Sequence, residues 1–317
     1  MGPRRVRRHH QGRRLLHRQR RAARRTGRPS PVSHTRRPEV TTAAEVEPGL
    51  YDISAELYHS DPIPGGSLSS TGARRLTDCP ARFKYFLDHP EPYKPEFEFG
   101  TAAHTVILGN GPELVVVDEK RWDTDETKAR VAAIRAAGNV PLKAEARQRI
   151  DDMAEALARH PEASDLLTPG SGLAEQSAFW QDDNGIWHRT RFDWLRPEEI
   201  VDYKTARSVH PDALQKAVNE HGYHQQDDFY RKVAIHLGLI PPTGSFKFIF
   251  QEKQPPYLVT VAELDFPARV IGAELNDRAL YTYAMCQATG HWPAYSEGTT
   301  HISLPPWVER KYAQENS

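Results

Sequence analysis

Residues 186–204 read IWHRTRFDWLRPEEIVDYK, and they hold two stretches in which apolar and polar side chains alternate with a period of two. That period marks a half-buried β-strand, so residues 186–194 and 199–204 are read as successive strands. On the second strand Asp202 and Lys204 are two residues apart and share a face with Ile200, while Val201 and Tyr203 point the other way. Asp193, near the end of the first strand, lies beside Asp202 if the two strands pair antiparallel. Carboxylates that close repel each other unless a divalent cation sits between them. A lysine next to such a pair can position or polarise a water attacking phosphorus and can stabilise the negative charge that develops. The constellation suits metal-dependent phosphodiester hydrolysis.

Working outward, residues 175–180 form a third alternating segment, joined to residues 186–194 through Asp182-Asp183-Asn184-Gly185. Its Asn-Gly is a strong hairpin signal. Residues 245–251 and 257–264 are two further strands, and the short apolar run 114–117 is another. Helical patterns cover residues 72–87, 97–108, 126–137, 142–158, 161–167, 211–237 and 269–287, with Pro80 splitting the first and Gly222 breaking the sixth. Helices, a central meander, one crossover and two more strands predict an α/β fold: a mixed central β-sheet flanked by helices, with an N-terminal helical part.

Composition limits the alternatives. The chain has 317 residues, 42 of them Lys or Arg and 42 Asp or Glu. Its mean hydropathy of −0.68 and the absence of an apolar run near ~18 residues argue against a membrane span. Two cysteines, Cys79 and Cys286, are too few for a disulfide scaffold or a four-cysteine metal site, and a reducing, cytoplasmic compartment is the expectation. The zero net charge conceals a division. Residues 1–40 hold 14 Arg and one acid, so the remainder carries 28 basic against 41 acidic residues. With few apolar residues to bury, residues 1–45 are read as an Arg-rich tail, a disordered or spurious extension being favoured over a DNA-binding arm. Residues 46–317 are read as one domain.

An acid-x-Lys triplet alone is weak evidence, and the chain contains rivals. Asp118-Glu119-Lys120 follows an apolar run, and Glu126-Thr127-Lys128 opens a predicted helix, where residues two apart do not face each other. Asp118 lacks a second carboxylate strand beside it. The competing reading for Asp193 and Asp202 is an ion pair with Arg191 or Lys204 at a sheet edge. His104 on a small-residue helix could simply be packed, Gln226 and Tyr230 could be a surface pair at i and i+4, and Glu252 could be a solvated strand end.

Taken in order, SLSSTGARRLTDCPARFKY, FGTAAHTVIL, RTRFDWL, IVDYKTA, YHQQDDFY, FIFQEKQPPY, HWPAY and LPPW resemble the RecE-type (exodeoxyribonuclease VIII-like) exonucleases of phages and prophages. These belong to the PD-(D/E)XK nuclease superfamily, with the RecB nuclease domain and lambda exonuclease. The likeness runs from about Tyr51 to Trp307, and it implies a restriction-endonuclease-like core. It implies metal ligation by His104, Asp193, Asp202 and the Tyr203 carbonyl, with Lys204 as the catalytic lysine alongside Asp202 and Asp193. Gln226 and Tyr230 match a Gln-x-x-x-Tyr pair lying against substrate. Glu175 sits where relatives often carry an acid, and Arg191 joins Arg74, Arg75, Arg82, Lys84 and Arg189 as candidate substrate contacts. Phe192 replaces the proline of the literal "PD". Cys79 sits where iron–sulfur relatives carry their first cysteine, but the other three ligands are missing, and no cluster is expected.

The resemblance further implies a Mg2+-dependent exonuclease, with Mn2+ able to substitute, acting 5′ to 3′ on double-stranded DNA ends in phage-type recombination. Its expected partners are a single-strand annealing protein and further copies of itself in a ring. Two other readings stand beside it: a single-strand- or structure-specific nuclease of the same superfamily, and a non-catalytic nucleic-acid-binding phage protein. The acidic body sits awkwardly with DNA binding, which needs local positive charge to displace counterions.

Overall fold

The structure is a computed structural model that describes residues 46–90 and 94–315; the tail expected at residues 1–45 lies outside them. The first elements are β1 (Gly49–Tyr51), α1 (Ala55–His59), β2 (Leu68–Ser69), α2 (Ser70–Asp78), α3 (Pro80–Asp88) and α4 (Glu98–Leu108). The next are β3 (Leu114–Val116), α5 (Asp125–Ala136), β4 (Val140–Leu142), α6 (Ala144–Ala158) and α7 (Pro161–Leu166). The meander is β5 (Leu173–Gln181), β6 (Trp187–Leu195) and β7 (Glu199–Ala206). A crossover of α8 (Pro211–His221) and α9 (Tyr223–His236) leads to β8 (Ser245–Glu252), β9 (Val259–Ala262), α10 (Phe266–Thr289) and α11 (Pro306–Glu315).

Among the described residues a seven-stranded mixed sheet runs in the order β1-β5-β6-β7-β8-β9, with β2 parallel to β6, while β3 and β4 form a small parallel pair. The α/β expectation holds: a central mixed sheet flanked by helices. Local chemistry sets the joints. At the β5–β6 turn Asp182 Oδ1 accepts the Asn184 and Ile186 N–H groups, both at 2.9 Å, and Gly185 takes φ +78°, a backbone region that glycine enters at no steric cost. Pro80 opens α3 after the extended Cys79, splitting the predicted helix in two. Gly222, at φ +67°, separates α8 from α9 as expected.

Alternation along β7 and β8 divides the core. Ile200, Phe246, Phe248 and Phe250 meet Leu76 of α2, Phe229 and Val233 of α9, and Tyr283 of α10. Val201, Tyr203 and Ile249 meet Ala102 and Ala103 of α4 and Ile150 and Leu157 of α6 on the opposite face. Each fully buried Phe contributes about 1.5–3 kcal/mol of transfer free energy. The Tyr203 hydroxyl is satisfied inside this core, donating to Gln251 Oε1 at 2.8 Å, and Gln251 Nε2 donates to the Met153 carbonyl at 2.8 Å.

Two expectations need correction. The helix predicted from residue 142 begins at Ala144, because Val140-Pro141-Leu142 pairs with β3 and is fully buried. The strands β1 and β2 and the helices α1 and α11 were not foreseen; three- and two-residue strands are too short to show a period. Among the described residues no helix is long and apolar enough to cross a membrane.

Helices α9 and α10 cross closely at Gly272, where an added Cβ would lie 2.0 Å from the His224 carbonyl oxygen. Backbone rather than a flexible side chain opposes it, so Gly272→Ala is expected to cost about 1–3 kcal/mol. Urea unfolding monitored by circular dichroism checks this; an unchanged midpoint would show that the two helices can part.

Candidate active site and metal centre

The site forms where the sheet forks. β6 and β7 pair antiparallel at Trp194–Val201 and Leu195–Ile200, and then β6 pairs with β2 instead, at His188 and Arg189. Past the last β6–β7 rung stand Asp193 and Asp202. Asp193 Oδ2 accepts the Tyr203 backbone N–H at 2.9 Å, which turns this carboxylate toward the α4 side.

There it meets His104, whose ring packs edge-on against Tyr203 at 5.2 Å between centroids. Ala102 and Ala103, both fully buried, let α4 approach the sheet closely enough for that contact. His104 Nδ1 lies 3.6 Å from Asp193 Oδ2 and 3.8 Å from Glu175 Oε1. Glu175 sits on β5 between Ala174, opposite Trp194, and Gln176, opposite Phe192, so it faces Asp193 across the ladder. Among the described residues His104, Glu175 and Asp193 form a group with ligand atoms all within 4.8 Å of one another. These three residues can chelate a divalent cation.

The electrostatics suit that. Burial, reinforced by Asp202, pushes the Asp193 carboxyl up to about 7 against the pull of His104 and Lys204. Burial opposes a charge on His104, but Asp193 and Glu175 outweigh it and raise its pKa. Glu175 is lowered: burial works against ionisation, and His104 and Arg191 overcome it.

Asp202 is not in this triad. It shares the α9 side with Lys204, as strand alternation predicted, and its Oδ1 accepts from Gln226 Nε2 at 2.7 Å. Lys204 Nζ is 2.5 Å from Asp202 Oδ2, an ion pair between a buried carboxylate and the ammonium. Burial disfavours the Lys204 charge, yet Asp202 and Asp193 raise its pKa, and the ammonium lies 5.6 Å from the Tyr223 ring centroid. Two carboxylates and one imidazole whose ligand atoms converge are a donor set that fits a divalent cation.

Gln226 and Tyr230 do share one face of α9, with Gln226 on Asp202 and the Tyr230 ring edge-on to Phe192 at 5.6 Å. Arg191 does not face open solvent: its Nε donates to Glu175 Oε2 at 2.8 Å. Arg189 pairs with Asp61, and Arg74 Nη1 donates to the His221 carbonyl at 2.9 Å. Arg75 lies over the Phe86 ring, Arg82 of α3 pairs with Asp78 at the end of α2, and Lys84 pairs with Asp88 along α3. Glu252 accepts the Val209 N–H at 3.0 Å rather than ending in solvent. The rival Asp118 is exposed and joins no metal-ligating group among the described residues. Both cysteines are buried and free.

Two cavities meet at the fork. One, about 1050 Å³, is lined by His104, Glu175, Arg191, Asp193, Thr205 and Lys253. The other, about 810 Å³, is lined by Arg74, Arg75, Arg189, Lys204, Tyr223 and Gln226, with Tyr230 on both. Tyr223, Thr205 and Lys253 were not singled out in the sequence. Tyr223 stands three residues before Gln226, one helical turn away, which is the signal that could have found it.

This fold is consistent with a restriction-endonuclease-like core. A family model described as a PDDEXK-like domain of unknown function matches residues 69–305, and the chain belongs to that family. Comparison with curated proteins returned no match. Among solved structures, a putative exonuclease from Eubacterium rectale is similar at 13% identity, with 83% of this chain and 98% of that chain covered and a TM-score of 0.57. A phage-related exonuclease from Haemophilus somnus is 13% identical over 60% of this chain and 95% of that one, at a TM-score of 0.27. LHK-Exo in complex with dAMP is 12% identical over 70% of this chain and 100% of that one, at 0.22. The first likeness is one of fold.

Proposed function

We propose that this chain is a metal-dependent nuclease of the PD-(D/E)XK type that hydrolyses phosphodiester bonds at double-stranded DNA ends. The observation that carries the reading is the His104, Glu175 and Asp193 group standing beside the Asp202–Lys204 pair at the fork. Family membership and the exonuclease-like fold support it. The 5′ to 3′ polarity, the annealing partner and the ring assembly rest on the family resemblance.

In this reading His104, Glu175 and Asp193 would hold the cation, with Asp202 and the Tyr203 carbonyl joining them as the family resemblance implies. The carboxylates suit Mg2+, and the imidazole makes Mn2+ acceptable. A bound cation would supply charge neutralisation at the scissile phosphate and a more acidic attacking water. The Tyr203 N–H fixes Asp193, and Gln226 fixes Asp202 from α9. Lys204, kept cationic by its two acids, cannot itself ligate; it is placed to hold the attacking water and to stabilise charge on the phosphate. Arg74 and Arg75, which line the smaller cavity with Lys204, would offer the DNA backbone local positive charge within the acidic body.

Short linear duplexes, single strands and closed circles, each labelled and incubated with Mg2+, test the substrate. Nucleotide release from linear duplex ahead of the others is expected. Preferential cleavage of single strands or of circles would replace the duplex-end reading with a single-strand- or structure-specific one.

A pH dependence follows from Asp193. A carboxyl pushed up to about 7 is largely protonated at pH 6 and must lose that proton to bind a cation. Mn2+ affinity should therefore rise by about tenfold or more between pH 6 and pH 8, since His104, whose pKa is also raised, must lose its proton as well. Isothermal titration at both values checks it; equal affinities would place the cation away from Asp193 and His104.

A further inference from the structure

Arg191 stands directly opposite Ser177 in the β5–β6 ladder, with Glu175 two residues upstream of Ser177 on the same strand. Residues two apart on a strand share a face, so one long side chain on β6 can reach both. Arg191 does so. Its Nε donates to Glu175 Oε2 at 2.8 Å, and its Nη1 donates to Ser177 Oγ at 2.7 Å and to the Ile53 carbonyl at 2.9 Å. The guanidinium is thus held by groups on two segments: Glu175 and Ser177 of β5, and Ile53 in the chain between β1 and α1. Such a planar fork, once fastened, has little freedom left.

Glu175 is fastened in turn. Its backbone has φ +52°, a left-handed conformation that L-residues other than glycine and asparagine seldom adopt. Conformations of this kind persist where the surroundings over-determine them. Arg191 takes the Oε2 oxygen, and the other oxygen, Oε1, is the one that lies 3.8 Å from His104 Nδ1. The carboxylate is therefore divided, with one oxygen spent on the arginine and the other presented to the fork.

We propose that Arg191 is a positioning residue that aims Glu175 Oε1 at the candidate cation site, rather than a contact for DNA. The inference rests on the metal-dependent reading. Partners that orient a metal ligand in this way matter to affinity as well as to geometry, and their loss weakens binding by about 10–100-fold. Arg191→Lys is the informative variant, because it keeps the charge while losing the fork. Ser177→Ala removes one anchor of the guanidinium without touching Glu175.

Mn2+ affinity of the full chain, followed by electron paramagnetic resonance, is measured for the wild type, Arg191→Lys, Ser177→Ala, Glu175→Gln and the Arg191→Lys/Glu175→Gln double variant, with a thermal melt of each. Expected are a roughly 10–100-fold weaker affinity in Arg191→Lys and a smaller loss in Ser177→Ala. The double variant should bind no more weakly than Glu175→Gln alone, since a residue acting through another adds nothing once that residue is gone. Cleavage by Arg191→Lys should recover at saturating Mn2+. Wild-type affinity in Arg191→Lys, or additive losses in the double variant, would overturn the proposal. So would a loss confined to DNA affinity with a flattened salt dependence, the signature of a phosphate contact. If Arg191→Lys melts early, the Ser177→Ala affinity decides alone, and a wild-type value there overturns the proposal. Failure of the wild type to bind Mn2+ would instead remove the metal-dependent reading itself, before Arg191 is considered.

Discussion

Replacing Lys204 with alanine is expected to lower single-turnover cleavage by about 10²–10⁴-fold while leaving Mn2+ affinity within a few-fold of wild type, the loss typical of one transition-state electrostatic contact. The ammonium lies between Asp202 and the Tyr223 ring, and its raised pKa keeps it charged at any pH suitable for the assay. A protonated amine cannot ligate, which is why affinity and rate should separate. Arginine is no substitute, because its planar fork cannot reproduce a compact, strongly hydrated charge. Asp202, only 1% exposed, would lose its partner, and breaking a buried pair costs about 3–5 kcal/mol. The melting temperature in EDTA should therefore fall, and Mg2+ should restore part of it. Wild-type cleavage by Lys204→Ala would mean that the catalytic group lies elsewhere.

The second large effect belongs to Asp193. Asp193→Asn removes a formal charge from the triad, so cation binding and cleavage should both fail, with a rate loss of about 10³-fold or more, since cation stabilisation supplies several kcal/mol. Stability should move the other way. Burial raises the Asp193 pKa to about 7 in the fold, against an ordinary carboxylate near ~4. Below the unfolded value the group is neutral in both states and costs nothing. As pH climbs toward 7 the unfolded chain ionises first, so folding is increasingly penalised, and above 7 the penalty is complete. The amide escapes that penalty and can still accept the Tyr203 N–H. At pH 8 in EDTA Asp193→Asn should melt at or above the wild-type temperature while being inactive with Mg2+. A variant that is both inactive and unstable would assign Asp193 a structural role instead.

Much of this arrangement was legible in the sequence, and the failures have identifiable causes. Residues 186–194, 199–204 and 245–251 declared themselves through period-two alternation, and Asp202 and Lys204 do share a face of β7. Pro80 and Gly222 act at the positions expected of them. Glu175 is different. Whether it faces Asp193 depends on the strand register, and that depends on the number of residues in the turn. The pairs Gln181–Trp187 and Trp180–His188 enclose a turn longer than the two residues an Asn-Gly alone suggests. A slip of one residue would have moved Glu175 to the wrong face. That Asp202 stands outside the group formed by His104, Glu175 and Asp193 was equally hidden, because β6 leaves β7 there for β2, a two-residue strand without a pattern of its own. His104 could be proposed through resemblance; its spacing alone could not tell a ligand from a packed histidine. Arg191 looked like a substrate contact because a sequence shows its charge and not its partners.

Release of labelled nucleotides from a linear duplex, followed over time with Mg2+ and with EDTA for the wild type and Asp193→Asn, tests the fork site most directly. Release by the wild type with Mg2+, abolished by EDTA and absent from the folded Asp193→Asn protein, is the predicted result. Release that continues in EDTA, or from Asp193→Asn at the wild-type rate, would contradict it.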